Sequence, residues 1–241
     1  MSYTYKQIQS GSAGAGVTSC YTPTFNSTAG SLLIAFAFGS AAATITITDV
    51  AANTWYSTGA QIGAFSSIAQ TFYAYNTTAL SGGNVAANFS VAQNYPQIIV
   101  LEYAGILQTS DPFLAAGGIW DNHSDPSIVG PTSNGAIYAN AVGPMSLYPC
   151  LGFGIAVSAS GSKPSLIGYG GINVRSNTIV SGYAVCGDYE VTAANNLVPR
   201  FDNNGATTNS YLMSAAAFAE TGAIPPATNI GCGYMQTYAM R

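Results

Sequence analysis

The sequence predicts an all-β protein, a single antiparallel β-sandwich of jelly-roll type followed by a C-terminal extension. Charged residues make up 6% of the 241 residues, against about 25% in ordinary soluble domains, so the chain cannot supply the charged faces of surface helices. Thr, Tyr, Val, Ile and Phe with Gly and Asn between them suit strands and turns. Turn residues recur about every 8 to 12 positions, which is the spacing of sandwiches and jelly rolls.

The strand that organises the predicted fold lies between Tyr95 and Gly105. Its centre, residues 98–101, is apolar on both alternating faces, which is typical of a strand covered from two sides. Pro96 can open a strand but cannot lie in its middle. Glu102 follows this apolar run, so its carboxylate must be hydrogen-bonded, paired or close to the rim.

Further strands are predicted from the same alternation of apolar and polar residues. Residues 2–10 are expected to form an edge strand, and residues 44–48 a half-buried one. The remaining predicted strands are 18–25, 31–38, 68–75, 85–91, 150–158, 166–174, 179–191, 198–201 and 211–219. From Asp111 to about Pro149, Asp-Pro and Gly-Pro pairs predict a long irregular segment, and such segments are usually functional or interfacial.

A domain boundary is predicted after Glu220. Residues 1–220 are expected to form the sandwich, and residues 221–241 a linker and assembly segment that contains Pro225-Pro226, a stiff spacer. Beyond the prolines the chain has no charge before Arg241, so an exposed tail would be an aggregation hazard. We expect it to dock on another subunit or on a larger particle, or alternatively on its own sheet. The predicted assembly residues are Tyr234, Met235, Tyr238 and Met240.

Charge and hydropathy exclude several classes of partner. The net charge is −4 and the five basic residues are scattered, so the chain lacks the basic stripe that binds nucleic acid. No apolar run reaches the roughly 18 residues of a membrane span. The N-terminal residues show no apolar core of a secretory signal. The sequence therefore predicts neither nucleic-acid nor membrane partners, and synthesis in a cytoplasm.

The four cysteines, Cys20, Cys150, Cys186 and Cys232, are far apart in the sequence and form no C-x-x-C pair. This spacing argues against a zinc site and against a dense disulfide framework. Buried thiols are the expected state. A Cys150–Cys186 bridge between neighbouring strands is the alternative.

Five short motifs occur in the order of a known family. They are Gly30-Ser-Leu-Leu-Ile-Ala, Ile47-Thr-Asp-Val-Ala-Ala-Asn-Thr-Trp55, Phe72-Tyr-Ala-Tyr-Asn76, Ile98-Ile-Val-Leu-Glu-Tyr-Ala-Gly105 with Asp111-Pro-Phe, and Tyr211-Leu-Met-Ser-Ala-Ala-Ala-Phe218. Over most of residues 30–218 the chain resembles a largely uncharacterised β-sandwich module of bacterial extracellular proteins and tailed-bacteriophage virion proteins. The family pattern has Asp-x-x-Gly-Asn in the second motif, where this chain has Ala52. The resemblance implies a virion or surface role and brings no established catalytic residues.

Few residues could support catalysis. A Ser-His-Asp or Cys-His arrangement needs a histidine, and His123 is the only one. A glycosidase needs two carboxylates about 5 to 9 Å apart, for which Glu102, Asp188 and Glu190 are the candidates. Among nine acidic residues some will be neighbours by chance. We therefore expect no enzymatic activity.

A structural calcium ion is the one cofactor that the sequence suggests. Asp49, Asp111, Asp121, Asn122 and Asp125 lie in predicted turns, and Ca²⁺ binds carboxylates together with backbone carbonyls. The EF-hand spacing is absent. The alternative role of these side chains is Asx-turn capping, in which a side chain bonds the backbone two residues on.

A carbohydrate site would use an exposed aromatic ring as a stacking surface with polar side chains beside it. Trp120 is the aromatic residue that best fits this description, because it lies in the predicted irregular segment. The predicted ligand-binding residues are Trp120, Asp121, Asn122 and His123.

The sequence thus predicts a non-enzymatic structural protein of a bacteriophage particle: a capsid decoration (cement) protein, a head fibre or a tail-fibre component. We expect the protein to be synthesised in the host cytoplasm and to lie exposed on the surface of the particle. The expected partners are further copies of the chain and other virion proteins such as the major capsid protein. The alternative is a carbohydrate- or host-receptor-binding module with a surface glycan as partner. A glycoside hydrolase is a third hypothesis.

Overall fold

The structure is a computed structural model that describes residues 3–59, 61–64, 67–122, 136–138, 148–158, 173–176, 184–191, 200–202 and 210–224. These residues contain no helix, and every strand pair among them is antiparallel. No helix in this part of the chain is therefore available to cross a membrane. The all-β prediction is confirmed.

Sixteen strands are present in the described ranges. They are β1 (Thr4–Ser12), β2 (Ala15–Tyr21), β3 (Leu32–Gly39), β4 (Ile45–Asp49), β5 (Tyr56–Ser57), β6 (Ile62–Ala64), β7 (Ser67–Ala74), β8 (Val85–Asn94), β9 (Gln97–Ala104), β10 (Phe113–Asn122), β11 (Ala136–Tyr138), β12 (Tyr148–Ser158), β13 (Asn173–Ser176), β14 (Ala184–Val191), β15 (Arg200–Asp202) and β16 (Ser210–Ile224).

The strands form three main sheets. A central sheet has the order β1-β9-β3-β7-β5, with β6 also paired to β7. A small sheet has the order β2-β8-β4, and an outer sheet has the order β10-β16-β12-β14-β13. Strands β11 and β15 form a separate pair. The first nine strands of the chain thus build the central and small sheets, and the later strands build the outer sheet.

The side chains of β9 point alternately into two cores. Ile99, Leu101 and Tyr103 pack with residues of the outer sheet. Ile98 and Val100 pack with residues of the small sheet. All five are buried, so the prediction that this strand is covered from two sides is confirmed.

The neighbouring strand β3 is buried in the same way, and the central sheet is therefore the middle layer of a three-layer sandwich. Its face toward the outer sheet meets β12 and β16 through an apolar core that includes Leu32, Ile34, Phe36, Leu151, Phe153, Ile155, Leu212 and Phe218. Its other face meets the small sheet through Leu33, Ala35, Ile45, Ile47, Val85, Ala87 and Phe89. The antiparallel sandwich is present, and its jelly-roll topology stays a prediction.

Two predicted boundaries are wrong. The segment after Asp111 was expected to be irregular, but Phe113–Asn122 is a strand that pairs with β16, from Phe113 opposite Phe218 to Asn122 opposite Ser210. Its Ala and Gly residues have little intrinsic strand preference. The segment is a strand because its backbone pairs with β16, and the local sequence does not indicate this pairing. The linker was expected to begin at Thr221, but β16 continues to Ile224, which lies opposite Tyr148.

Candidate functional site

Three of the four predicted ligand-site residues lie in a strand and not in a loop. Trp120, Asp121 and Asn122 form the end of β10, opposite Leu212, Tyr211 and Ser210 of β16. The structure describes their backbone but not their side chains, and His123 lies outside the described residues. The predicted assembly residues Tyr234, Met235, Tyr238 and Met240 also lie outside them. Both sites remain predictions.

Of the carboxylates considered for glycosidase chemistry, Glu102 is separated from Asp188 by the central sheet. Glu102 and Tyr103 are neighbours in β9, so their side chains point to opposite faces. The Tyr103 hydroxyl donates to Asp188 Oδ2 at 2.9 Å, which places Asp188 on the face toward the outer sheet. Glu102 lies on the other face, where Oε1 accepts from the Ser31 hydroxyl at 2.7 Å. Glu102 and Asp188 therefore cannot act together on one glycosidic bond.

Glu102 is buried but well supplied with hydrogen-bond donors. Oε1 accepts from the backbone N–H of Thr28 and from the Ser31 hydroxyl, both at 2.7 Å. Oε2 accepts from Nε2 of Gln7 at 2.6 Å. Burial alone would raise the pKa of Glu102, but these hydrogen bonds outweigh it and lower the pKa below its ordinary value. The expectation that this carboxylate is hydrogen-bonded is confirmed, and its role is to hold β1 and the turn before β3 onto β9.

Asp188 is the centre of a second buried network, which we call the Asp188 cluster: Asp188, Tyr3, Tyr103 and Arg175. Asp188 is fully buried on β14. Its Oδ1 accepts from the Tyr3 hydroxyl and from Nη2 of Arg175, both at 2.7 Å, and its Oδ2 accepts from the Tyr103 hydroxyl and from Nε of Arg175. The guanidinium is also 4.4 Å from the ring centroid of Tyr5.

The electrostatics of the Asp188 cluster favour the ion pair. The hydrogen bonds from Arg175 to Asp188 raise the pKa of the guanidinium above its ordinary value. Burial, together with the nearby Asp188 carboxylate, raises the pKa of the Tyr3 and Tyr103 hydroxyls, so both remain donors. With two hydroxyls and a bidentate guanidinium in place, the four lone-pair directions of the carboxylate are occupied. Asp188 therefore joins the N-terminal strand to β14 and β13 and is not open to a substrate.

Glu220, which no feature of the sequence singles out, lies beside this cluster on β16. Its Oε2 accepts from the backbone N–H of Tyr3 at 2.9 Å, whereas its Oε1 is buried and has no hydrogen-bond partner in the described part of the chain. Burial and the negative charge of Glu190 raise the pKa of Glu220 to about 7. A glutamate inside an alanine-rich strand has no sequence pattern that marks its pKa as raised; its burial and the nearby Glu190 are consequences of the tertiary structure.

The turn aspartates that suggested calcium cap turns instead where the structure describes them. Asp49 Oδ1 accepts from the backbone N–H groups of Ala51 and Asn53, and its Oδ2 accepts from the Trp55 indole at 2.7 Å. Asp111 Oδ1 accepts from the backbone N–H of Phe113 at 2.9 Å. Within the described ranges, no three His, Cys, Asp or Glu side chains come together as a metal site. Calcium binding stays a prediction.

A group of nearly parallel aromatic rings lies where β5, β7 and β10 meet. We call Tyr56, Tyr73, Tyr75 and Phe113 the tyrosine platform. The centroid of Tyr56 is 5.5 Å from that of Tyr73 and 5.7 Å from that of Tyr75, with interplanar angles of 28° and 26°. Tyr73 also stacks on Phe113 at 5.4 Å and 16°, and its hydroxyl donates to both oxygens of Asp111. From the sequence these tyrosines are expected only to pack within their strands, and no sequence motif predicts that their rings stack together.

The strand register excludes the Cys150–Cys186 bridge. In the β12–β14 pair, Cys150 lies opposite Val191 and Cys186 lies opposite Ile155. Five positions along a strand correspond to about 17 Å, whereas a disulfide needs Cα atoms within about 7 Å. Both residues are buried, as is Cys20. Burial raises the pKa of the Cys20 and Cys150 thiols to about 12, so these two remain protonated and unreactive.

No family model matches the chain, and no curated protein or solved structure matches it significantly. The function of the chain is therefore inferred from the geometry of these sites and from the resemblance of the five motifs.

Proposed function

We propose that the chain is a non-enzymatic structural protein of a bacteriophage particle, acting as a capsid decoration, head-fibre or tail-fibre component. The observation that carries this proposal is the Asp188 cluster. Two of the three carboxylates that the sequence offers for glycosidase chemistry, Asp188 and Glu102, are engaged by the protein's own donors. These two groups tie strands together, and neither is free to serve in an acid–base pair facing a cleft.

The charge content supports the same proposal. Only 6% of the residues are charged, and surface charge is what normally keeps an isolated soluble domain dispersed. A three-layer core of this kind gives a rigid body whose Thr-, Ser- and Asn-rich surface suits close packing with neighbours. The partners we propose are further copies of the chain and a capsid or fibre protein of the particle.

The proposal is tested by co-sedimentation of the purified chain with bacteriophage capsids that lack it, followed by cryo-EM of the decorated particles. We expect saturable binding at a fixed number of copies per capsid subunit. The heat-unfolded chain, which keeps the composition but loses the surface, is the control and should not bind. Failure of the folded chain to bind capsids or fibres contradicts the proposal.

The second candidate is a carbohydrate- or host-receptor-binding module, and the tyrosine platform is the observation that favours it. Specific glycan binding without affinity for capsids would support this alternative. A glycoside hydrolase requires turnover of an oligosaccharide that disappears in the Glu190→Gln variant. That result would contradict the non-enzymatic proposal.

A further inference from the structure

The tyrosine platform keeps aromatic surface exposed although its centre is fixed. Tyr73 is 3% exposed and is held by Asp111, Phe113 and the edge of Phe218 at 5.3 Å. Tyr56, on the edge strand β5, is 40% exposed. Tyr75 is half-buried beside it. A ring that is already held by stacking loses little side-chain freedom when a ligand covers it.

The rim of the platform offers an open hydrogen-bond acceptor. Asp111 is exposed, and among the residues that the structure describes its Oδ2 accepts only from the Tyr73 hydroxyl, at 2.9 Å. A carboxylate has about four lone-pair directions, so Asp111 keeps capacity for further donors at the solvent side of the stack. The backbone N–H of Asn76, which follows Tyr75, is taken by Oε1 of Gln108. That donor is therefore engaged, whereas the Asp111 carboxylate offers an acceptor to a ligand.

The charge around the platform selects the ligand class. Of the basic residues whose side chains the structure describes, Lys6 lies on β1 at the opposite edge of the central sheet. The other, Arg175, is engaged by Asp188. A phosphate, sulfate or acidic sugar would meet Asp111 without a compensating cation from either of them. The site thus fits a neutral ligand that has hydroxyl donors and an apolar face.

We propose that the tyrosine platform binds a neutral pyranose of a glycan. The apolar C–H face of the sugar ring covers Tyr56 and Tyr75, and its hydroxyl groups donate to Asp111. This site is distinct from the one predicted at Trp120, and it does not depend on whether the chain decorates a capsid.

The test is a glycan array of neutral and acidic saccharides, followed by calorimetric titration of the strongest neutral ligand. We expect Tyr56→Ala to weaken binding at least about tenfold, which corresponds to about 1.4 kcal/mol, while the variant stays folded at the temperature of the titration. Tyr56→Phe keeps the ring and should retain binding. Tyr21→Ala is the matched control, because Tyr21 is 52% exposed on the small sheet and should leave the affinity unchanged.

Four outcomes overturn the proposal. The first is that no neutral saccharide binds, and the second is that acidic saccharides bind more tightly. The third is that affinity is lost in Trp120→Ala but not in Tyr56→Ala, which would assign the sugar to the end of β10. The fourth is that a proline-rich peptide binds the platform and no sugar competes with it, since such peptides also dock on aromatic surfaces. Capsid binding is measured separately, so either proposal can fail alone.

Discussion

Among single residues, two buried glutamates respond to pH in opposite directions. The three donors on Glu102 lower its pKa, so its contribution to folding is present above pH about 4.5 and is lost as the pH falls through the folded-state pKa. Glu220 has one donor and a bare oxygen, and its pKa is raised to about 7. Its contribution is present below the unfolded-state pKa and is lost as the pH rises toward 7.

We therefore expect the free energy of unfolding to fall between pH 5 and pH 8 because Glu220 must ionise in the folded chain. One pKa unit corresponds to about 1.36 kcal/mol, so the decrease should be on the order of 2 to 3 kcal/mol. Gln resembles the neutral acid, and its carbonyl can still accept from Tyr3. Urea unfolding at both pH values should show a smaller decrease for Glu220→Gln than for the wild type. An equal decrease in both proteins contradicts this explanation and points to a titrating group that both share.

Ala52 occupies a backbone conformation that favours glycine. Its φ is +55°, in the turn that Asp49 caps, and the family pattern places Gly at this position. Ala52→Gly should therefore stabilise the chain by up to about 1 kcal/mol, because Gly adopts positive φ without steric cost. Ala79→Gly is the control: Ala79 is exposed and has no positive φ, so Gly should destabilise there by roughly 0.5 kcal/mol. Thermal unfolding of the two variants checks both signs.

Among the elements, strand β1 forms one edge of the central sheet, and this edge is guarded. The register of β1 with β9 shifts between Tyr5 and Gln7. Lys6 is therefore the extra residue of a β-bulge, and it is exposed. A bulge and a lysine are two devices by which natural proteins prevent edge-to-edge pairing. Strand addition at β1 is thus disfavoured.

The crossing from β1 to β2 depends on Gly11. A Cβ atom at this position would lie 1.7 Å from the carbonyl oxygen of Tyr21. Gly11→Ala should destabilise the chain by at least about 2 kcal/mol, because the backbone of β2 must move. Gly14, in the turn between the same two strands, has open space where a methyl group would lie and no positive φ. Gly14→Ala is therefore the control, and chemical denaturation should show no loss for it; equal losses in both variants contradict the close contact as the cause.

In the molecule as a whole, strand β9 of the middle layer is buried on both faces of the sheet. Ile99→Ala should cost about 2 to 5 kcal/mol through the core with the outer sheet. Val100→Ala should cost about 2 kcal/mol through the core with the small sheet. Thr46→Ala, on the exposed face of the small sheet, should change stability by less than about 0.5 kcal/mol. A two-layer sandwich would tolerate one of the two β9 substitutions, so urea unfolding distinguishes the architectures.

Assembly through the C-terminal tail is best tested by cutting the chain after Ile224. The sequence predicts that the linker begins at Thr221, but the Thr221 N–H donates to the Gly105 carbonyl at 2.8 Å and Thr221 belongs to β16. We expect deletion of residues 225–241 to abolish oligomers and particle binding while Tm is unchanged. Deletion of residues 221–241 should lower Tm as well. Light scattering and calorimetry check both, and oligomers that persist while Tm falls in the shorter deletion would show that the tail docks on its own sheet.

Strand content, the burial of both faces of β9 and the need for donors at Glu102 follow from the sequence alone, because alternation and local charge are properties of short segments. The turn that Asp49 caps also follows from the local sequence, because an aspartate can bond the backbone two residues on. The sequence could not place β10, whose Ala and Gly residues carry no strand preference of their own. Nor could it reveal the Asp188 cluster, the raised pKa of Glu220 or the tyrosine platform. Tyr3 is 185 residues from Asp188 and 217 from Glu220, and only the packing of the outer sheet on the central sheet brings these groups together.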